Sequence, residues 1–331
     1  MSSDSYDIAV VGAGPVGLFA AFYAGIRGMR TLVVDSLHQP GGQLAALYPE
    51  KPIYDMPGFP EILAKDLAQE MMRQAERFSP TICLGEQSIS LSGSAGNFTL
   101  ATSNSEFQTK TVLVCAGVGS FSPTKIGIDT EAAFGGKGVS YGVLDPENHR
   151  DKAVVVVGGG DSALDWALAI LPIAKSVTLI HRRDKFRAHE DSVQKMLASS
   201  IVFRPFETIE QINGGSWVTS VTTQNTQTKS EQQVACDSLI VCIGYKTDLG
   251  PIRSWGLEME KTKIRVSERM ETNISGVFAA GDVCTHSAKL DLIATGVGEA
   301  CIAVNFAKTV IDPDAKLFPG HSSDMSLPEL K

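Results

Sequence analysis

The chain has 331 residues, 43% apolar and 20% charged, a composition of soluble globular proteins with length enough for two domains. Its net charge of −8 argues against a general nucleic-acid binder, which needs a basic face to offset phosphates. No apolar run reaches the roughly 18 residues of a membrane helix, and the polar, acidic stretch from Met1 to Asp7 is no basic-then-apolar leader, so a cytoplasmic protein without a membrane partner is expected.

From the N-terminus, a β-branched strand over Ile8–Val11 stops at glycines, Pro15 takes a first-turn helix position, and a helix of small residues follows. Thr31 to Val34 read as a second buried strand, ending in Asp35. The spacing Gly12-x-Gly14-x-x-Gly17 gives each glycine a task. The first allows a tight turn, the second lets the backbone approach a pyrophosphate, and the third lets the helix pack on the strand. The helix N-terminus then offers unpaired N–H groups and a partial positive charge to phosphate. Asp35 lies 21 residues after Gly14, placed to accept hydrogen bonds from a ribose.

Strand-rich segments follow at Phe98 to Thr102 and Glu106 to Val114, and later at Val218 to Thr223 and Asp237 to Ile243. Between them, from Ala153 to Arg183, the strand–turn–helix–strand unit is repeated, with Gly158-x-Gly160-x-x-Ala163 as its turn. Its second strand, Val177 to Ile180, ends in His181-Arg182-Arg183, with Arg187 in the same loop. A carboxylate at that point would repel a 2′-phosphate, whereas guanidiniums pair with one bidentately. The first unit is thus read as an FAD site and the second as an NADP(H) site. A solvated surface cluster is the plainer reading of the arginines.

Leu113 to Gly117 and Leu239 to Gly244 read as strand-to-turn corners where the chain crosses between domains. The expected fold is α/β with two Rossmann-like domains, a split FAD-binding domain (1–117 plus 246–331) around an inserted NADP(H)-binding domain (118–245). The glycines of Gly117–Gly119 and Gly244–Tyr245 are hinge candidates. The six cysteines, at 83, 115, 236, 242, 284 and 301, form no C-x-x-C and sit mostly in apolar runs, so buried free thiols are expected and a metal site is not.

Gly276-Val-Phe-Ala-Ala-Gly281-Asp282 resembles the Gly-Asp motif of two-dinucleotide flavoprotein reductases, whose Asp binds the FAD ribityl chain. Arg182-Arg183-Asp-Lys-Phe-Arg187-Ala and Gly41-Gly42-Gln43-Leu44 resemble low-molecular-weight thioredoxin reductase. The resemblance runs co-linearly from about Tyr6 to Ala307. It fails at one place. Where that enzyme carries its redox C-x-x-C, this chain reads Val139-Ser-Tyr-Gly-Val-Leu-Asp145, which leaves thiol–disulfide exchange without its chemistry.

The remainder, with Leu47-Tyr48-Pro-Glu-Lys-Pro-Ile-Tyr54-Asp-Met-Pro-Gly-Phe59-Pro60, Gly158 to Trp166 and a tail with His321-Ser-Ser323, resembles the thioredoxin-reductase-like ferredoxin/flavodoxin–NADP⁺ reductases. That resemblance implies FAD contacts at Gly12, Gly14, Gly17, Asp35, Gln43, Tyr48, Ile89, Phe121, Asp282 and Ser323. It implies NADP contacts at Gly158, Gly160, Asp161, Ser162, Arg182, Arg183 and Arg187. Tyr48 would stack on one flavin face and His321 near the other, reaching across a homodimer. No catalytic residue beyond the flavin is implied: hydride passes from NADPH to flavin N5, then single electrons to ferredoxin or flavodoxin. Leu292 to Ala307 reads as a helix whose dipole faces the flavin. One departure is Lys125, which comes one position later than the basic residue that relatives often carry after the proline of Phe121-Ser-Pro-Thr124.

Several of these residues also fit plainer roles. Asp282 could cap the following helix, Tyr48, Tyr54 and Phe59 could be packing, the last two being read as structural, and His321 could be solvated. A reductase for another acceptor (quinone, oxygen or a small disulfide) and a flavin-binding protein with little turnover are the alternative functions. Docking of an acidic carrier needs a basic patch, for which Arg253, Lys261, Lys263, Arg265 and Arg269 are candidates.

Overall fold

The computed structural model describes residues 5–330. The chain divides into two compact units, one built from residues up to Ser120 and from Thr247 onward, the other from Phe121–Lys246. Each is described by itself.

The first unit is built on a seven-stranded sheet. Tyr6–Val11 lies between Thr31–Asp35 and Glu106–Val114, all parallel, with Thr81–Leu84 beyond Thr31–Asp35. Ile8, Ala9 and Val10 are fully buried, as are Leu32, Val33 and Val34. Such near-continuous apolar runs, without alternation, are what strands covered on both faces require. The long strand Glu106–Val114 changes partner along its length. Its start pairs antiparallel with Asn97–Thr102, and its end pairs parallel with Val277–Ala279. The helix Pro15–Ile26 packs against both Ala64–Glu76 and Ile293–Ile311. In the last of these helices Ala300, Ala303 and Ala307 are fully buried with Gly296 on one helical face, a small-residue stripe that lets neighbours come close.

The second unit centres on a five-stranded parallel sheet in the order Val139–Ser140, Ser238–Cys242, Ala153–Gly158, Ser176–His181, Val202–Pro205. A three-stranded antiparallel sheet of Glu207–Gly214, Val218–Asn225 and Glu231–Ala235 adjoins it in sequence. Val154, Val155 and Val156 repeat the buried run of the first unit. Asp161–Ile170 is the helix after the glycine turn.

The chain crosses between units along Ser120–Pro123 and Tyr245–Asp248, two strands that pair with each other. Gly119 belongs with the first unit for a steric reason: at φ +85° it lies so close to Asp248 that a Cβ would sit 2.2 Å from the Asp248 carbonyl oxygen. The Ser120 hydroxyl donates to that same oxygen at 3.1 Å. No helix among the described residues is long and apolar enough to cross a membrane, and no described group of His, Cys, Asp and Glu is arranged to hold a metal.

Candidate functional site: two glycine cradles and a Gly-Asp turn

Both glycine turns sort their residues by what surrounds them. Gly12 has φ +113°, and a Cβ on it would strike the Cys115 carbonyl oxygen at 2.3 Å. Gly158, at φ +154°, would strike the Cys242 carbonyl oxygen at 2.2 Å. A Cβ on Gly17 would lie 1.9 Å from the Gly12 oxygen, so this glycine is what lets the helix close on the turn. The middle glycines differ. Gly14 and Gly160 have extended backbones that any residue adopts, at φ −73° and −105°. A Cβ on Gly14 would come no nearer than 3.9 Å to any neighbour, and one on Gly160 would meet nothing within 4 Å. Neither backbone strain nor protein packing explains these two glycines. Open space at both turns leaves room for a ligand to approach the backbone.

The helices behind the turns are also prepared for an anion. Gly14 and Gly160 stand at the helix N-caps, and neither helix has a side chain capping its first N–H groups. Those donors point out of the turn, where a pyrophosphate would accept from them. The open middle glycine and the uncapped helix fit a dinucleotide in both units.

Asp35 ends its strand beside the first turn, its carboxylate accepting from the Ala13 N–H at 2.6 Å and the Leu37 N–H at 2.8 Å. Burial pushes its carboxyl above the ordinary range, although these two bonds oppose that. Each oxygen keeps a lone pair for a ribose hydroxyl. The loop of Gly41, Gly42 and Gln43 lies over this turn: the Gly41 N–H donates to the Ala13 oxygen at 2.8 Å, and a Cβ on Gly42 would come within 2.9 Å of Gly14 Cα. Gln43 Nε2 lies 3.5 Å from where a Cβ of Gly117 would be.

Asp282 follows Gly281 beyond the strand Val277–Ala279. Its carboxylate is partly buried and takes no hydrogen bond from the described residues. Burial, and then Asp291, raise its carboxyl above the ordinary value. The helix that follows begins at Ile293 with Leu292 as N-cap, so Asp282 caps nothing. A partly buried, unpartnered carboxylate at this turn fits a hydroxylated ligand chain. Burial, and then the charge of Asp282, raise the Tyr48 hydroxyl above its ordinary value.

The other expected FAD residues have these local settings. Ile89 is in the edge strand Ser88–Ser94, 38% exposed, with its carbonyl accepting from the Trp255 indole at 3.1 Å. Phe121 belongs to the second unit, where its ring meets Tyr245 edge-on at 6.3 Å. His321 and Ser323 are exposed in the C-terminal segment; His321 packs against Phe318, and Ser323 lies in a single 3₁₀ turn. Tyr54 is 65% exposed and Phe59 38%, so neither is core packing, and packing within their own loop is the structural role left to them.

In the second unit, Arg182, Arg183 and Arg187 are exposed, and none pairs with a carboxylate among the described residues. Their loop is tied to the glycine turn. The Arg187 N–H donates to the Gly159 oxygen at 2.8 Å, and Asp161 accepts from the His189 N–H at 2.9 Å. The His181 ring packs over Gly159 and stacks on Phe186 at 5.6 Å. Asp161 thus uses one oxygen to hold the loop, and Ser162 is exposed at the helix start. This bracing was not read from the sequence, although His181 and Phe186 flanking the arginines were its signal.

The candidate basic patch is largely neutralised. Arg253 pairs with Asp248, Lys263 with Asp291 and Arg265 with Glu258, and Arg269 lies over the Phe306 ring. The six cysteines are all free thiols, and burial pushes Cys236, Cys242 and Cys284 up to about 12. Tyr141, at the place of the missing cysteine pair, donates instead to the buried Glu131 at 2.9 Å.

Comparison with known proteins agrees with this geometry. The chain is 47% identical over 322 residues to a ferredoxin–NADP reductase of Geobacillus thermodenitrificans, covering 97% of each chain. It is 48% identical over 323 residues to a ferredoxin–NADP reductase of Halalkalibacterium halodurans, covering 97% of this chain and 98% of that one. Among solved structures, Lactococcus lactis thioredoxin reductase superposes with a TM-score of 0.77 at 29% identity, over 93% of this chain and 99% of that one. The pyridine nucleotide-disulphide oxidoreductase model matches residues 6–303, and the chain belongs to that family.

Proposed function

We propose that this chain is an FAD-containing reductase that moves electrons between NADPH and ferredoxin, with flavodoxin as a second carrier of the same kind. The observation that carries this reading is the pair of open glycine cradles with opposite charge at their strand ends, Asp35 in one unit and Arg182-Arg183 in the other. The ferredoxin–NADP reductase names of relatives near 47% identity support the choice of acceptor.

Bound FAD supplies hydride acceptance from NADPH and single-electron delivery to a protein carrier. The protein's part is to bind, orient and discriminate. The uncapped N–H groups behind Gly14 and Gly160 hold the two pyrophosphates. Asp35 accepts from the adenosine ribose of FAD and repels a nucleotide bearing a 2′-phosphate. Arg182, Arg183 and Arg187 grip that phosphate in NADP(H) and so exclude NADH. Asp282 accepts from the ribityl hydroxyls, Gln43 and Tyr48 line the flavin, and Ile89, Phe121, Ser323 and His321 complete its surroundings. The split unit is assigned to FAD, the inserted unit to NADP(H), with the glycines at 117, 119 and 244 as the hinge. The enzyme works as a cytoplasmic homodimer.

The absence of a C-x-x-C before the second glycine turn turns the reaction away from disulfides. The test is NADPH-driven reduction of cytochrome c. It should depend on added ferredoxin or flavodoxin. Reduction of a disulfide dye through thioredoxin at a rate normal for a thioredoxin reductase would overturn the proposal.

A further inference from the structure

A buried group of charges stands beside the Gly281-Asp282 turn and serves none of the roles above. Glu299 is 4% exposed and Lys289 7% exposed at their side chains, and they pair at 2.8 Å. His286 Nε2 joins them, 3.0 Å from Glu299 Oε1. This ion pair grips one residue from both sides. The Gly281 N–H donates to Glu299 Oε2 at 2.7 Å, and Lys289 Nζ donates to the Gly281 carbonyl oxygen at 2.8 Å.

The sequence explains why such a grip is needed there. Gly281 sits at φ +81°, where the chain leaves the strand Val277–Ala279, so neither of its backbone groups continues the sheet ladder. The N–H has no other acceptor among the described residues, and buried without one it would be costly. The carbonyl also accepts from the Cys284 N–H at 3.0 Å and its thiol at 3.3 Å, with Lys289 as the charged third donor. A hydrophobic pair at 289 and 299 could fill the same space but could supply neither acceptor nor donor. Helix Ile293–Ile311 brings Glu299 into reach because Gly296, one turn earlier, sits so close that a Cβ would lie 3.1 Å from Gly281 Cα.

We propose that the Lys289–Glu299 pair is a positioning device that, by fixing Gly281 at both its N–H and its carbonyl, sets the direction in which Asp282 presents its carboxylate to the hydroxylated chain of the bound flavin. The inference rests on the flavoprotein reading and deepens it. The charge states agree. Burial would raise the Glu299 carboxyl, but its bonds from Lys289, His286 and the Gly281 N–H outweigh that and hold it below the ordinary range. Asp282, one residue on, is shifted the other way and keeps its oxygens for a ligand.

The test compares two ligands on Glu299→Gln and Lys289→Met. FAD retention is read from free-flavin fluorescence as purified holoenzyme is diluted. ADP, which occupies the Gly12-to-Asp35 cradle without reaching Asp282, is read by its competition with FAD. Either variant should weaken FAD roughly tenfold or more, the equivalent of one hydrogen bond, and leave ADP affinity within about twofold. In an Asp282→Ala background the added effect of Glu299→Gln should fall below about twofold, because residues acting through one another are not additive.

Equal weakening of FAD and ADP, a full effect of Glu299→Gln without Asp282, or no effect at all would overturn the inference. Should Glu299→Gln fail to fold, Lys289→Met carries the comparison, since it leaves Glu299 its bonds from Gly281 and His286. Failure of both to fold would make the pair a stability element and overturn the proposal as well. A wild-type protein that retains no FAD would sink the flavoprotein reading itself, which is a distinct outcome.

Discussion

Gly160→Ala separates the ligand's demands from those of the fold. A Cβ at position 160 meets no protein atom within 4 Å, and the backbone there is one alanine adopts freely. Two small stability effects oppose each other. Alanine is poorer than glycine at a helix N-cap by roughly 0.5–1 kcal/mol, while removing a glycine from the unfolded chain returns about 0.4–1 kcal/mol. The net is under about 1 kcal/mol, a melting shift of no more than about 3 °C for a chain of this size. Binding responds differently. The methyl group occupies the space through which a pyrophosphate reaches the uncapped N–H groups, and losing one charge-assisted hydrogen bond costs about 1.5–3 kcal/mol. At about 1.4 kcal/mol per decade, the NADPH Kd rises roughly 10- to 100-fold. Differential scanning fluorimetry and NADPH titration of the holoenzyme give both numbers on one sample. Unchanged NADPH affinity would refute the claim that the nucleotide passes over Gly160, and an unfolded variant would refute the claim that the space is open. Gly17→Ala is the contrast: with its Cβ 1.9 Å from the Gly12 oxygen it should give no folded holoenzyme.

Replacing Arg182 and Arg183 with Ala should raise the KM for NADPH by roughly ten- to a hundredfold while leaving that for NADH nearly unchanged; an equal change for both coenzymes in steady-state assays would show that these arginines do not read the 2′-phosphate. Asp282→Asn should leave the flavin-free protein equally or more stable at pH 7. The folded carboxyl is raised by burial and then by Asp291, so the stability it allows is full below the unfolded pKa of about 4 and lost as pH rises through the folded value. Melting curves of flavin-free protein should therefore show variant and wild type converging toward pH 4, and the variant's FAD affinity should fall. Iodoacetamide at pH 8 should leave NADPH-driven ferricyanide reduction intact, because burial holds Cys236, Cys242 and Cys284 at about 12 and raises Cys115 further; rapid inactivation would reveal a working thiol.

The sequence carried the cradles because their constraints are local. Gly12, Gly17 and Gly158 answer to atoms of the same turn or the adjoining strand, and the apolar runs before them need no alternation in a sheet covered on both faces. Gly-Asp at 281–282 was legible as a motif, but its supports were not. Lys289 and Glu299 are ten residues apart in an ordinary polar loop and a helix, and the close approach of Gly296 to Gly281 that brings Glu299 into reach exists only in the folded chain. The carboxylate partners of the basic candidates at 253, 263 and 265, which are residues 248, 291 and 258, were likewise not read from the sequence. Tyr54 and Phe59 look like packing residues by type, yet the loop between Pro52–Ile53 and Ile62–Leu63 turns them outward.

The central claim is that electrons enter from the phosphorylated coenzyme and leave singly to a protein carrier. Rapid mixing of the anaerobic holoenzyme with NADPH or NADH, followed by mixing with oxidised ferredoxin, tests it most directly. NADPH should bleach the flavin band, NADH should do so far more slowly, and the band should recover when ferredoxin is added. A colourless protein, or a flavin bleached equally by both coenzymes and left reduced in the presence of ferredoxin, would contradict it.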